Sequence, residues 1–413
     1  MNNLADSLKR TTWNFFSGSQ LTFGPGAIGT LTGVLRREPS ERVLVVSDPI
    51  LSEAGIVAQA EVAIQQTNST VEIFRDGEIE PSTDTVGKLV GIATEFQPDL
   101  FVAVGGGSNM DLAKAAAAAF SNQCEVKSLF GFNQILGNSS KVVCIPTTSG
   151  TGSEVTHSAI LTDSATGNKA AILSQNIRPD VAIVDPQLTF SCPATVSAES
   201  GINALSQAIE AYLVRNFFSF SEDFDHGLPY EGNHPLGDLY AEKAIRLIGL
   251  NLQRVMDDPE NLAARSGMAL AATLAGIAFS SCGVSLTHAL QYPIGSKYQC
   301  RHGAGHGIVL PAVMQYWSDT RQARVAQIAD FLGVRRAGEM PTAEAAQAAI
   351  AWVRAVRQPM GLPTGLVDVG GDESDIPGLA NRAMSWQHLV DLSPLTPTLE
   401  DMNGILRASL QNS

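Results

Sequence analysis

Four short apolar runs rich in β-branched residues alternate with helical stretches in the first half of the chain. The runs are RVLVVSD (42–48), LFVAVGGG (100–107), KVVCIPTT (141–148) and VAIVDP (181–186). Each run is almost continuously apolar and ends in polar, glycine or proline residues, which is typical of strands buried on both faces of a parallel sheet. The first half therefore predicts an α/β domain of the kind that binds nucleotides.

Beyond Pro193 the apolar residues recur every three to four positions, which predicts helices. The stretches are ESGINALSQAIEAYLV (199–214), YAEKAIRLIGLNLQRVM (240–256) and LAARSGMALAATLAGIAF (262–279). We therefore expect an α/β domain over residues 1–195 and an all-helical domain over 196–413, with Ser197 capping the first helix.

An inserted segment, residues 216–238, interrupts the helical half and is rich in aromatic, acidic, glycine and proline residues. Prolines end helices, so this segment predicts a long ordered loop. A substrate lid and a surface insertion or oligomer contact are both compatible with its composition.

The charge balance excludes some partners and states. Lys and Arg number 27 against 41 Asp and Glu, a formal charge of −14, which makes nucleic acid an unsuitable partner. Hydrophobic residues make up 44% of the 413, enough for substantial cores, so global disorder is excluded. Five widely spaced cysteines without a CxxC pair and an N-terminus without an apolar run indicate a cytoplasmic protein with no membrane partner.

A glycine-rich turn follows the second of the four apolar runs, in VGGGSNMDLAKA (104–115). Its four small residues are Gly105, Gly106, Gly107 and Ser108, and Asp111 marks the start of a helix after them. Glycines let the backbone approach a diphosphate, and the positive end of the helix dipole favours the anion. A tight strand-to-helix turn without a ligand needs similar glycines, so the motif alone leaves both interpretations open.

A second turn, IPTTSGTGSEVT (145–156), follows the next strand and places six hydroxyl side chains around two glycines. Hydroxyls suit a ribose or a phosphate, but they also cap turns. Asp48 ends the first run, at the edge where ligands bind to open α/β sheets, and its carboxylate would repel a 2′-phosphate. A helix N-cap is the competing role for Asp48.

Taken together, six blocks resemble the iron-containing, group III alcohol dehydrogenase family. They are FGPGAI (23–28), GGGSNMDLAKA (105–115), PTTSGTGSEVT (146–156), VDP (184–186), the GINALSQAIEAY run (201–212) and HALQYPIG with HGAGHGIVLP (288–311). The resemblance implies a dehydroquinate synthase-like fold with NAD(P) and a divalent metal in a cleft between the two domains. It also implies that Gly105 to Ser108 hold the pyrophosphate and that Asp48 binds the adenine ribose and selects NAD(H). The residues it assigns to the adenosine and ribose side are Thr147, Thr148, Thr151, Lys169 and Leu188.

The chain departs from the family at the metal positions. The resemblance implies an Asp and a His four residues apart, then two His separated by fourteen, and here those positions hold Asn203, Gln207, His288 and His302. Two amides in place of a carboxylate and an imidazole make a poor set for iron or zinc, so we expect a degenerate site and a doubtful metal.

Other residues could take over the chemistry. Tyr292 stands where the family usually carries a further His, and a phenol can act as a proton donor, although a packed aromatic is the competing role. His306, His226 and His234 are additional imidazoles from which a metal site could be rebuilt.

These features predict an NAD(H)-dependent oxidoreductase that interconverts a small aldehyde or ketone and its alcohol, without a tightly bound metal. Asn203, Gln207, His288, His302 and Tyr292 are its candidate catalytic residues, and a homodimer or another homo-oligomer is expected. One alternative is an orthodox metal-dependent alcohol dehydrogenase with a replacement ligand from the insert. Another is a non-redox lyase or cyclase, or a regulatory binding protein, that keeps the cofactor fold.

Overall fold

The computed structural model describes residues 10–17, 20–220, 229–334 and 339–411. They divide into two compact units. The α/β unit comprises Phe16–Pro193 and Glu260–Gly276, and the helical unit comprises the described residues before Phe16 together with Ala194–Pro259 and those from Ile277 onward. The chain leaves the α/β unit two residues before the predicted boundary, and the return of Glu260–Gly276 to that unit was not predicted.

The α/β unit is built on a six-stranded parallel sheet with the order β1-β9-β6-β4-β2-β3, beside a small sheet with the order β5-β8-β7. The strands are β1 (Gln20–Phe23), β2 (Arg42–Val46), β3 (Thr70–Phe74), β4 (Leu100–Gly105), β5 (Gly131–Phe132), β6 (Lys141–Pro146), β7 (Ser158–Thr162), β8 (Lys169–Leu173) and β9 (Val181–Val184). All four predicted strands, β2, β4, β6 and β9, belong to the parallel sheet, which confirms the predicted α/β class.

Helices cover both faces of this sheet. They are α1 (Leu31–Arg37), α2 (Pro49–Glu53), α3 (Ile56–Gln65), α4 (Thr83–Phe96) and α5 (Gly107–Asn122). Alternate residues of β4 point to opposite faces: Phe101 and Ala103 join the core formed with α4 and α5, whereas Val102 and Val104 join the core formed with α1 and α3. Burial on both faces explains why the β4 sequence is continuously apolar.

The predicted helical second half is confirmed. Its helices are α6 (Ala194–Leu213), α7 (Pro235–Asp257), α8 (Leu262–Cys282), α9 (Leu286–Tyr298), α10 (His302–Phe331), α11 (Thr342–Arg357), α12 (Ile376–Met384), α13 (Gln387–Val390) and α14 (Leu399–Ala408). Because α6 already begins at Ala194, Ser197 lies within the helix, and the prediction that it caps this helix is wrong.

The last residues of the predicted loop are helical instead, because α7 begins within the inserted segment at Pro235. A proline at the first helical position costs no hydrogen bond, since that N–H has no partner within the helix. His234 precedes it as the N-cap, and its side chain accepts a hydrogen bond from the Gly237 N–H. His226 lies outside the described residues.

One helix of the described residues, α8, is long and apolar enough to cross a membrane, but most of it is buried within the protein. Buried core helices meet the same criteria, so α8 is weak evidence for a membrane segment.

Candidate functional site

The two predicted turns of the α/β unit contact each other. Strands β4 and β6 are parallel neighbours, with Gly105 opposite Pro146, so the turns that follow them meet at the carboxyl edge of the sheet. A Cβ on Gly107 would lie only 2.6 Å from Thr151 Cγ2, and one on Gly106 would lie 3.5 Å from Thr148 Oγ1. The glycines thus allow the threonine-rich turn to approach the start of α5.

These turns lie where the strand order reverses. The chain leaves β2 for β3 on one side and leaves β4 for β6 on the other, so the crevice between β2 and β4 is the topological switch point of the sheet. Asp48 follows β2 at this crevice, and its Oδ2 accepts a hydrogen bond of 2.7 Å from Asn109 Nδ2 on α5. The other oxygen, Oδ1, accepts the Leu51 N–H at 2.9 Å and caps α2. Asp48 therefore does cap a helix, and it does so beside the glycine-rich turn.

Helix α5 begins at Gly107, so Asp111 lies in its second turn and does not mark its start as predicted. The Asp111 carboxylate instead accepts hydrogen bonds from Ser153 Oγ at 2.6 Å and from the Ile160 N–H at 2.9 Å. Lys114, which sequence reasoning missed, is fully buried and donates to Ser153 Oγ at 2.6 Å. Together Asp111 and Lys114 fix the threonine-rich turn against α5.

The other residues predicted to bind the cofactor each make different contacts within the α/β unit. The Ser108 hydroxyl donates to the Ile79 carbonyl, and Lys169 forms a 2.8 Å ion pair with the neighbouring Glu80. The Thr147 N–H donates to the Gly105 carbonyl at 3.0 Å, which ties the two turns together. Leu188 is buried in the core beside α1 and α3, so its place on the adenosine side stays a prediction.

Three histidines of the helical unit form a cluster. His288 lies on α9, whereas His302 and His306 lie one turn apart on α10. The ring centroid of His306 is 4.1 Å from that of His288 and 4.2 Å from that of His302. One nitrogen from each ring lies within 4.8 Å of the others, the spacing of a group that could hold a metal ion.

Helix α6 supports this cluster from one side. A Cβ on Gly303 would lie 2.0 Å from the Glu199 carbonyl oxygen, so α10 packs directly on the α6 backbone. Eleven residues further along α6, Glu210 accepts the Thr287 N–H at 2.8 Å and pairs with His288 Nδ1. Asn203 and Gln207, both buried, fall between these two contacts on the same helical face.

Glu210 was not predicted, although it is the only charged residue of the run ALSQAIEAYL, which was a usable signal. Glu210 is fully buried on α6, and its carboxylate contacts the first turn of α9, where a negative charge complements the positive end of the helix dipole. The hydrogen bond to Nδ1 orients the His288 ring and leaves Nε2 as the nitrogen for other contacts.

The buried polar atoms of the cluster are incompletely satisfied. Neither ring nitrogen of His306 has a hydrogen-bond partner, and the same is true of Asn203 Oδ1. Burial, together with the neighbouring His288 and His302, lowers the pKa of His306 well below its ordinary value of 6.5. Since the imidazole is then neutral at physiological pH, it has a lone pair available for a ligand.

Tyr292 lies on α9 one turn after His288. Its ring is 5.8 Å from that of His302 and 4.3 Å from that of Trp386. The structure thus brings Tyr292 beside the histidine cluster, and its role as a proton donor stays a prediction.

His234 has a structural role. Its Nδ1 caps α7, its Nε2 is 2.8 Å from Ser281 Oγ, and its ring stacks on Trp13 with centroids 4.2 Å apart. With both nitrogens engaged, His234 is not a free metal ligand.

Comparisons with known proteins match both halves of the chain. The family model described as iron-containing alcohol dehydrogenase matches residues 18–186, and the one described as the C-terminal part of the Fe-containing alcohol dehydrogenase family matches residues 227–410. An NAD-dependent methanol dehydrogenase of Bacillus methanolicus is 31% identical over 96% of this chain and 100% of its own length. Long-chain-alcohol dehydrogenase 1 of Geobacillus thermodenitrificans is 34% identical over 94% of each chain. A crystal structure of 1,3-propanediol oxidoreductase has a TM-score of 0.90 and 29% identity, and covers 97% of this chain and 100% of that one.

Proposed function

The chain belongs to the iron-containing alcohol dehydrogenase family, and we propose on that basis that it is an NAD(H)-dependent oxidoreductase that interconverts a small aldehyde or ketone and its alcohol. The observation that carries the proposal is the contact between the glycine-rich and threonine-rich turns at the switch point of the sheet. A pyrophosphate there would meet free N–H groups at the start of α5.

Asp48 supports NAD(H) over NADP(H). A carboxylate accepts up to about four hydrogen bonds, and two are used by Leu51 and Asn109, so capacity remains for the ribose hydroxyls. A 2′-phosphate at the same place would be repelled by like charge.

Hydride transfer is the chemistry of the nicotinamide, and the protein must orient the substrate and stabilise the charge that develops on the carbonyl oxygen. The hydroxyl of Tyr292 and the imidazole of His302 are adjacent groups able to donate a hydrogen bond to that oxygen. His288 is oriented by Glu210, and the amides of Asn203 and Gln207 add further donors on α6. These five residues remain our candidates for catalysis.

Taken by themselves, the four positions that the resemblance assigns to the metal do not make a complete transition-metal site, because only His288 and His302 are suitable ligands. Asn203 and Gln207 offer neutral amide oxygens in place of an anionic and an imidazole ligand, and we derive no step of the reaction through an ion at these positions. The insert offers no replacement within the described residues, since both nitrogens of His234 are engaged. The proposed substrate is a small molecule, and a homo-oligomer stays a prediction that light scattering would check.

Substitution of Gly106 tests the function. Its φ of −74° suits any residue and a Cβ there has ordinary contacts, so Gly106→Asp should fold while placing a carboxylate beside the pyrophosphate. We expect the purified protein to oxidise NADH when a small aldehyde is added, and Gly106→Asp to weaken NADH binding at least about tenfold. The matched control Gly106→Asn has the same shape without the charge and should bind more tightly than Gly106→Asp. Absence of NADH binding in the wild type would overturn the proposal.

A further inference from the structure

We infer that His288, His302 and His306 together form a divalent-metal site that replaces the ligand set expected from the family. The inference does not depend on the proposed function. Two of these histidines occupy expected positions, whereas His306 supplies an imidazole in place of the ligands lost at 203 and 207. Their nitrogens lie within 4.8 Å of one another, as required for three ligands that share one ion.

The surroundings of His288 match those of a metal ligand. Histidines that bind a metal usually donate their second ring N–H to a carboxylate, which fixes the ring and raises the basicity of the ligating nitrogen. Glu210 holds Nδ1 of His288 in this way, and Nε2 is then free to bind the ion. Because Glu210 is fully buried, a cation on the far side of His288 would also offset its charge.

His306 is completely buried and, unlike His288, has no hydrogen-bond partner at either of its ring nitrogens. Burying a polar group without a hydrogen-bond partner is destabilising, so a ligand for one of these nitrogens would remove that cost. Asn203 Oδ1 is another buried oxygen without a partner on the neighbouring face of α6. Helices α6, α9 and α10 therefore surround the cluster with buried nitrogen and oxygen atoms that could serve as metal ligands.

The ligand chemistry indicates the class of ion. Imidazole nitrogens favour borderline first-row metals such as Zn²⁺, Fe²⁺ and Co²⁺ over the oxygen-seeking Mg²⁺ and Ca²⁺. Three protein ligands leave a coordination position open, as in catalytic rather than structural zinc sites. A neutral set of three imidazoles binds an ion less strongly than one that includes a carboxylate, so adding an acid nearby should increase affinity.

Metal content and Co²⁺ spectra test the site without measuring activity. The full-length protein is stripped with a chelator, dialysed, reloaded with Zn²⁺ or Co²⁺ and measured by elemental analysis and by visible absorption of the bound Co²⁺. We expect about one ion per chain in the wild type and an affinity at least about tenfold lower in His306→Asn. The matched control is His388→Asn, because His388 contacts Trp386 and not the cluster, and its metal content should equal that of the wild type.

Two further variants keep the experiment informative if His306→Asn does not fold. Glu210→Gln should weaken binding by about 10–100-fold through the orientation of His288, and should change the Co²⁺ spectrum. Asn203→Asp should instead strengthen binding. A wild type that takes up no stoichiometric ion from either metal would overturn the inference, and so would a folded His306→Asn that binds as tightly as the wild type.

Discussion

At the residue scale, Asp48 caps a helix at the place where we propose that it selects the cofactor, so the two roles suggested by the sequence are not exclusive. Its Oδ1 caps α2 through the Leu51 N–H, while its Oδ2 bonds Asn109 next to the glycine-rich turn. The cap fixes the carboxylate at the switch point, so the structural role is compatible with the proposed selection of the cofactor. Position in the sequence could indicate the strand end, but not the contact with Asn109, which depends on the pairing of β2 with β4.

A substitution that removes only the charge separates the two roles. Asp48→Asn keeps an acceptor oxygen for the Leu51 N–H, and its amide can donate to Asn109 Oδ1, which is buried without a partner. We expect the preference for NADH over NADPH to fall by at least about tenfold, with little change in melting temperature. Titration of both cofactors into wild type and variant measures the effect. Equal affinities of the wild type for the two cofactors would refute the selectivity.

Glu210 shows what sequence reasoning misses at this scale. Periodicity places residue 210 on a buried face of α6, but its partners lie 77 and 78 residues away, on α9. The same limit applies to the histidine cluster. The spacing of His302 and His306 predicts a shared helical face, whereas the approach of His288 depends on how α9 and α10 pack.

At the element scale, the start of α7 depends on a neutral histidine. The Gly237 N–H donates to Nδ1 of His234, which requires that this nitrogen carry no proton. Burial lowers the pKa of His234 from 6.5 to about 4. A depressed histidine pKa means that the unfolded chain binds the proton more tightly, so the stabilisation is present above pH 6.5 and is lost as the pH falls towards about 4.

His234→Asn tests this helix cap, since asparagine also caps helices but does not titrate. The free energy of unfolding, measured by urea denaturation, should decrease in the wild type as the pH falls from 6.5 towards about 4. The variant loses the stacking on Trp13 and should be less stable at neutral pH, but its decrease over this interval should be smaller. An identical pH dependence in both proteins would contradict the assignment.

The strands illustrate which elements a pattern can predict. The four predicted strands are continuous apolar runs because both sheet faces are covered. Strand β3 at the sheet edge alternates between exposed and partly buried residues in TVEIF, with only Phe74 buried, and it was not predicted. Strands β7 and β8 form a small separate sheet, and their short runs carry a weaker signal.

At the scale of the whole molecule, the sequence predicts that an α/β half precedes a helical half. It does not predict which residues belong to each of the two compact units. The spacing of hydrophobic residues changes from a pattern typical of strands to one typical of helices near residue 193. The chain also passes from one unit to the other there. The first part of α8 nevertheless belongs to the α/β unit, where a Cβ on Gly276 would lie 2.8 Å from the Gly152 carbonyl oxygen. That close approach joins residues 124 positions apart, which no local pattern reveals.

Transfer of a labelled hydride is the most direct test of the central claim, that this chain moves a hydride between nicotinamide and a small carbonyl compound. The purified protein is incubated with NADH carrying deuterium at both C4 positions of the nicotinamide and a panel of small aldehydes, and the alcohols are analysed by mass spectrometry. The account predicts an alcohol with one deuterium on the former carbonyl carbon, formed in proportion to the NADH consumed. Recovery of unlabelled aldehyde and unconsumed NADH across the panel, from folded protein that binds NADH, would contradict it.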